Sequence, residues 1–149
     1  MKSFQFRLAA ALRLREAQAQ IEQTKLAQLL AEEKKIKNFL TALQEERRSE
    51  LSRLHGATEV SALELRSLSS FLVGLESRTL DLQNALAKQS RIVQEQRLRV
   101  LRAQRNVRLL IKLREKKLRE WTAEAEREIE NIAQDAWLAS HRPLVNPQS

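Results

Sequence analysis

Apolar residues recur along most of the chain at alternating spacings of three and four, the pattern of a helix that buries one narrow stripe against another helix. The first run extends from about Phe4 to Leu54 and places Leu8, Leu12, Ala19, Leu26, Leu29, Ile36, Leu40, Leu43 and Leu54 on one seam. Arg15, Glu22, Glu33, Arg47 and Glu50 take the remaining seam positions. The second run holds one phase through Leu65, Leu68, Leu72, Leu75, Leu82, Leu86, Val93, Val100, Ala103, Val107 and Leu110, with Trp121 still in step. It then drifts through Ala125, Ile129, Ile132 and Ala136. Between the runs, His55-Gly56-Ala57-Thr58 offers the reversal, with Gly56 suited to a left-handed cap and Ser61 placed three before Glu64 at capping-box spacing. Pro143 and Pro147 stop the second helix. The pattern predicts an all-α chain, an antiparallel coiled-coil hairpin of two long helices over about 3–55 and 59–140. The turn falls near 55–60, the second helix is the longer, and a flexible tail occupies 141–149.

The two seams can be tested against each other, because facing residues of an antiparallel pair have numbers with a constant sum. Leu54 with Ser61, Leu43 with Leu72, Leu40 with Leu75, Leu29 with Leu86 and Leu8 with Val107 all add to 115, which centres the turn beside Gly56. In that register Glu22 faces Val93 and Leu26 faces Gln89, so every layer keeps at least one apolar member while long polar side chains pin the alignment. The segment after Leu110 is left without a partner in the chain. Gly74 lies inside the second helix, where it costs about 1 kcal/mol relative to Ala and marks a candidate bend.

Composition narrows the function classes. With no Cys there is no disulfide framework or thiolate metal site, and His55 and His141 lack metal-ligand spacing. Two glycines cannot build a phosphate-cradling loop, and no nucleotide-binding fingerprint is present. The carboxylates read as solvated helix faces, so neither catalysis nor a cofactor is expected. Four Phe, two Trp and no Tyr, with abundant Ala, Leu, Glu, Gln, Lys and Arg, fit long helices better than a globule. No segment approaches the roughly 18 apolar residues of a membrane span. Arg7, Arg13 and Arg15 interrupt the apolar opening, which therefore reads as helix and not as a signal peptide.

Charge is unevenly placed. Residues 91–119 hold eleven basic and two acidic side chains, whereas residues 120–149 hold two basic and six acidic ones, within a chain of net charge +8. Leu98, Leu101, Leu109, Ile111 and Leu113 lie off the seam among those arginines. The stretch reads either as a solvated basic face, as a nucleic-acid surface, or as a docking face for an acidic protein. Arg mixed with Leu favours the protein interface over phosphate tracking, and no nucleic-acid partner is expected. A second off-seam feature is Phe39 and Phe71, each immediately before a seam leucine. With Leu43 and Leu75 beside them, they either thicken the seam or form an apolar docking patch.

The opening Phe4-x-Phe6-x-Leu8 into Leu12-Arg13-Leu14-Arg15-Glu16, and the later run from Lys112 to Trp121 continuing into Glu128-Ile129-Glu130-Asn131-Ile132-Ala133, resemble the bacterial flagellar export protein family FliJ. Asn131 departs from the family's usual small residue there. The resemblance covers nearly the whole chain. It implies a cytoplasmic coiled-coil stalk of the flagellar type III export apparatus, peripheral to the inner membrane at the flagellar base. The implied partners are the hexameric export ATPase, a membrane protein of the export gate, and flagellar export chaperones. On that reading Arg7, Arg13, Arg102, Arg105, Arg108, Leu109 and Lys112 are candidate ATPase contacts, and Phe39, Leu43, Phe71 and Leu75 candidate gate contacts. Two other readings stay open: a self-associating structural coiled-coil rod, and a stalk subunit of another rotary-type ATPase.

Overall fold

A computed structural model describes residues 2–142. Among these the chain forms two helices, α1 (Ala9–His55) and the longer α2 (Ala62–Ser140), and no strand. It divides into two compact units. One is Gln18–Ala103, which holds the hairpin turn; the other joins Met1–Ala17 to Gln104–Ser149. The tail expected over 141–149 lies outside the described residues from position 143 onward.

In the hairpin unit, α1 and α2 pack side by side along a seam one stripe wide. Leu75, Val93 and Val100 are its buried apolar residues, and Val93 is only 2% exposed. Burying a valine side chain contributes about 1.5–3 kcal/mol, so this handful supplies much of the local apolar stabilisation. The other buried residue of this unit is polar. Gln96 lies between Val93 and Val100 at 5% exposure, and its amide donates both to the Glu22 main-chain carbonyl (2.9 Å) and to the Glu22 carboxylate. One heptad earlier, Gln89 repeats the arrangement. Its amide donates to the Leu29 carbonyl at 3.0 Å and to the Glu32 carboxylate at 3.4 Å. A primary amide has two N–H donors and each glutamine uses both, so no buried side-chain donor among the described residues is left unsatisfied.

These pairs also report the register. Gln96 with Glu22 and Gln89 with Leu29 have numbers adding to 118, three above the facing-residue sum of 115. Helical side chains slant toward the N-terminus of their helix, so a glutamine tip arrives close to one turn before its own Cα. The amide of Gln96 thus reaches the level of Val93, the residue expected to face Glu22. The seam expected from spacing agrees with the observed one to within a turn.

Glu33 adds an edge contact. Its carboxylate accepts from the Lys37 ammonium at 2.9 Å and from the Ser90 hydroxyl at 3.4 Å. The hydrogen bond from Lys37 and that cation's charge, with Ser90 and the more distant Arg97, hold its pKa below the ordinary 4.5 against partial burial. A depressed carboxylate contributes stability above its unfolded value that is lost as pH falls through the lower folded value.

Local structure at the turn departs from expectation in one respect. No described glycine has a positive φ, so Gly56 does not form the left-handed cap. The helix tightens instead: the Gly56 N–H donates to the Ser52 carbonyl at 3.1 Å and the Ala57 N–H to the Leu54 carbonyl at 3.3 Å. An added Cβ at Gly56 would meet nothing closer than 3.7 Å, so glycine is not required there. Ser61 caps α2 as its spacing implies, accepting the Glu64 N–H at 3.1 Å, and α2 begins at Ala62, not 59. Gly74 causes no break, since α2 runs through it as one helix.

The terminal unit corrects the expected start of α1. Residues 2–6 are not helical, and α1 begins at Ala9 in place of position 3. Phe6, Arg7 and Leu8 offer no capping side chain. The Ala9 N–H instead closes on the Phe6 carbonyl at 3.1 Å, and the first helical bond joins Leu12 to Leu8 at 2.9 Å. Leu12, 7% exposed, is the buried anchor of this unit. Upstream, the segment from Lys2 to Leu8 forms a strap along α2, bounding with Leu113, Lys117, Glu120, Trp121 and Glu124 a groove of about 730 Å³. The rings of Phe4 and Trp121 meet at 6.1 Å, tilted by 58°.

Two substitutions separate seam packing from helix propensity. Gly74 is exposed and a Cβ there meets nothing within 4 Å, so Gly74→Ala raises unfolding free energy by about 1 kcal/mol in a urea titration followed by circular dichroism. Val93→Ala lowers it by about 2 kcal/mol. A neutral result at position 93 contradicts the seam assigned to it.

Candidate functional surfaces

The protein has no enclosed site to describe, and its chemistry lies on helix faces. Among the described residues no group of carboxylates and histidines is placed to hold a metal, and no helix is long and apolar enough to cross a membrane.

The basic face is carried by α2. Arg105, Arg108, Leu109 and Lys112 belong to the terminal unit, together with Arg7 and Arg13, whereas Arg102 belongs to the hairpin unit. All seven are exposed, Leu109 at 60%. At 100° per residue, positions 105, 108, 109 and 112 fall within one arc of α2, turned away from the half-buried Val107 and Leu110. Arg7 is also part of the strap that borders the groove beside Trp121. None of the six cations is held in an ion pair among the described residues. Their charges are therefore available, and Leu109 adds apolar contact among them. Of the other off-seam hydrophobics, Leu98, Leu101 and Ile111 remain exposed, but Leu113 is half-buried and lines the strap groove.

The four candidate gate residues all lie in the hairpin unit, with unequal access. Phe39 is 61% exposed, while Leu43 and Phe71 are half-buried. Phe71 borders a shallow groove with Glu50, Arg53, Leu63, Ser67 and Leu68. Leu75 is 4% exposed, so the expectation that it is partly accessible is corrected: as a seam position it points at α1 and supports the surface from beneath. Among the described residues neither phenylalanine stacks on another ring.

The strap is the feature that heptad reasoning passed over. Phe4 and Phe6 sit two apart, which aligns side chains in an extended segment and splays them in a helix. That spacing was the available signal.

The family model for the flagellar FliJ protein matches residues 4–135. That span includes the strap, the turn and most of α2. The chain belongs to the flagellar FliJ family. It is a coiled-coil component of flagellar type III protein export, and the family is structural and generally not enzymatic. Membership implies interaction with other components of flagellar export. No curated protein and no solved structure matches the chain.

The aromatic contact predicts how the strap is held. Phe4→Ala should release residues 2–8, seen as faster hydrogen exchange at the Ala9 amide and altered Trp121 fluorescence, with hairpin helicity unchanged. Unaltered exchange and fluorescence would mean that the Phe4–Trp121 contact contributes nothing to holding the strap.

Proposed function

We propose that this protein acts as a stalk in flagellar export, docking its basic face on the hexameric export ATPase and its phenylalanine-bearing face on the export gate. The observation that carries the first half is the stripe of unpaired cations with Leu109 on α2, facing away from the seam. A solvated basic face needs no leucine at 60% exposure, and an acidic protein surface accommodates both. Arg7 and Arg13 add charge from the same unit. The second half rests on Phe39, an aromatic ring mostly in solvent on a chain with six Phe and Trp residues in all. Leu43 and Phe71 flank it in this reading, and Leu75 holds the seam under them. Export chaperones are further partners on the strength of family membership. The working location is the cytoplasmic face of the inner membrane at the flagellar base.

Steady-state ATP hydrolysis by the export ATPase of the same organism, titrated with this protein at low and moderate salt, tests the ring contact. Stimulation should saturate near one copy per hexamer and weaken with salt. Replacing Arg102, Arg105 and Arg108 together by Ala should abolish most of it, and undiminished stimulation by that variant would remove the basic face from the mechanism. Absence of both stimulation and co-sedimentation at any salt would favour a self-associating structural coiled coil instead.

Binding to the cytoplasmic part of the gate protein is expected to fall about ten-fold or more for Phe39→Ala combined with Phe71→Ala. Unchanged binding would return both rings to a seam-thickening role.

A further inference from the structure

The last stretch of α2 has neither α1 nor the strap against it: every residue from 126 to 140 is exposed. Yet it is not polar all round. Ile129 and Ile132 are 66% and 61% exposed, and with Ala125 and Ala136 they follow spacings of four, three and four that continue the stripe from Trp121. Going round the helix, Glu128 and Asp135 line one border of this stripe, and Glu126 and Glu130 line the other. Within residues 124–140 there are five acidic side chains and one basic, Arg127, on a chain whose net charge is +8.

We propose that this stripe is the docking face for a single amphipathic helix of a partner protein, apolar at spacings of three and four and bordered by Lys or Arg. The width decides for a helix, because one stripe of Ala and Ile accommodates one seam and not a sheet or a broad surface. The phase supports it, since the stripe continues through Trp121 the face that already packs on the strap. The borders decide the charge of the occupant, as acidic flanks attract a basic rim and repel phosphate or an anionic membrane. Pairing the stripe with its own copy would set these acids against each other. The face is separate from the basic one assigned to the ATPase, so either reading can fail without the other.

The test uses the full chain and two labelled synthetic helices of about 18 residues, both with Ile and Leu at the seam positions. One carries Lys and Arg at the flanking positions and the other carries Glu. Fluorescence anisotropy should show salt-sensitive binding of the basic peptide alone. Affinity should fall about ten-fold or more for Ile129→Ser with Ile132→Ser, and for Glu128→Lys with Glu130→Lys. These side chains touch no other element, so circular dichroism should show the variants folded as the parent. Absence of binding, equal binding of the Glu-flanked peptide, or binding that survives both double substitutions overturns the proposal. So does a concentration-dependent dimer in sedimentation equilibrium that the isoleucine substitutions abolish, which would assign the stripe to a second copy.

Discussion

Two glutamines seven residues apart on α2 reach across the hairpin seam, and the alignment of the two helices depends on them. Leucine, valine and alanine layers repeat with the heptad and discriminate poorly between one register and the next. Main-chain carbonyls are no better, because one is available at every layer. The carboxylates make the difference: Gln96 finds Glu22 beside its carbonyl, and Gln89 finds Glu32 beside its own. A shift of half a heptad would strand both amides, and a full heptad would replace both carboxylate partners. Each buried donor left unmade costs about 1–3 kcal/mol, comparable to the burial of one seam valine. In a pair of helices with so few buried apolar side chains, the polar members of the seam select the alignment and the apolar ones hold it.

The hairpin was legible in the sequence for a definite physical reason. Helical periodicity is a local property, and two periodic seams joined by a short reversal have few ways to meet. Ser61 and Glu64 gave the start of α2 through their spacing, and the Ser61 hydroxyl does accept the Glu64 N–H. Gly56 misled because a helix can also end by shortening its last hydrogen bonds, which needs no left-handed residue. Gly74 misled less, since a solvent-facing glycine weakens a helix without bending it. The candidate surfaces were legible as residue types and positions, and Leu109 and Phe39 are exposed as a docking face requires. What the pattern could not supply was access at single positions. Leu75 and Leu43 read alike in the heptad, but only Leu75 is buried.

The strap shows where heptad reasoning stops. Apolar positions at Phe4, Leu8 and Leu12 satisfy a four-residue helical spacing, so the run was extended to the start of the chain. An alternation of two also passes through Phe4, Phe6 and Leu8, and it prevails in the structure. Geometry gives the reason. Residues 4–8 span about 16 Å when extended and about 8 Å when helical. The difference equals roughly six further residues of α2, which brings Phe4 to Trp121 instead of stopping at the level of Leu113. The extended segment therefore covers apolar α2 surface that a helix of the same residues would leave bare, and the Trp121 ring rewards the longer reach.

Beyond the strap the same stripe continues uncovered, and its neighbouring charges change sign. A helix selected only for length and solubility would carry polar residues around its whole circumference here, as (EAAAK)-like spacers do. Ile129 and Ile132 instead keep the phase set by Trp121 while Glu126, Glu128, Glu130 and Asp135 replace the arginines found upstream. One helix thus presents chemically opposed surfaces in succession: Leu109 among cations, then isoleucines among carboxylates. Charge of opposite sign on adjoining stretches prevents a single partner from satisfying both equally, because whatever complements the first is repelled by the second. The division of α2 into a basic and an acidic face accordingly favours two occupants of unlike charge over one long interface.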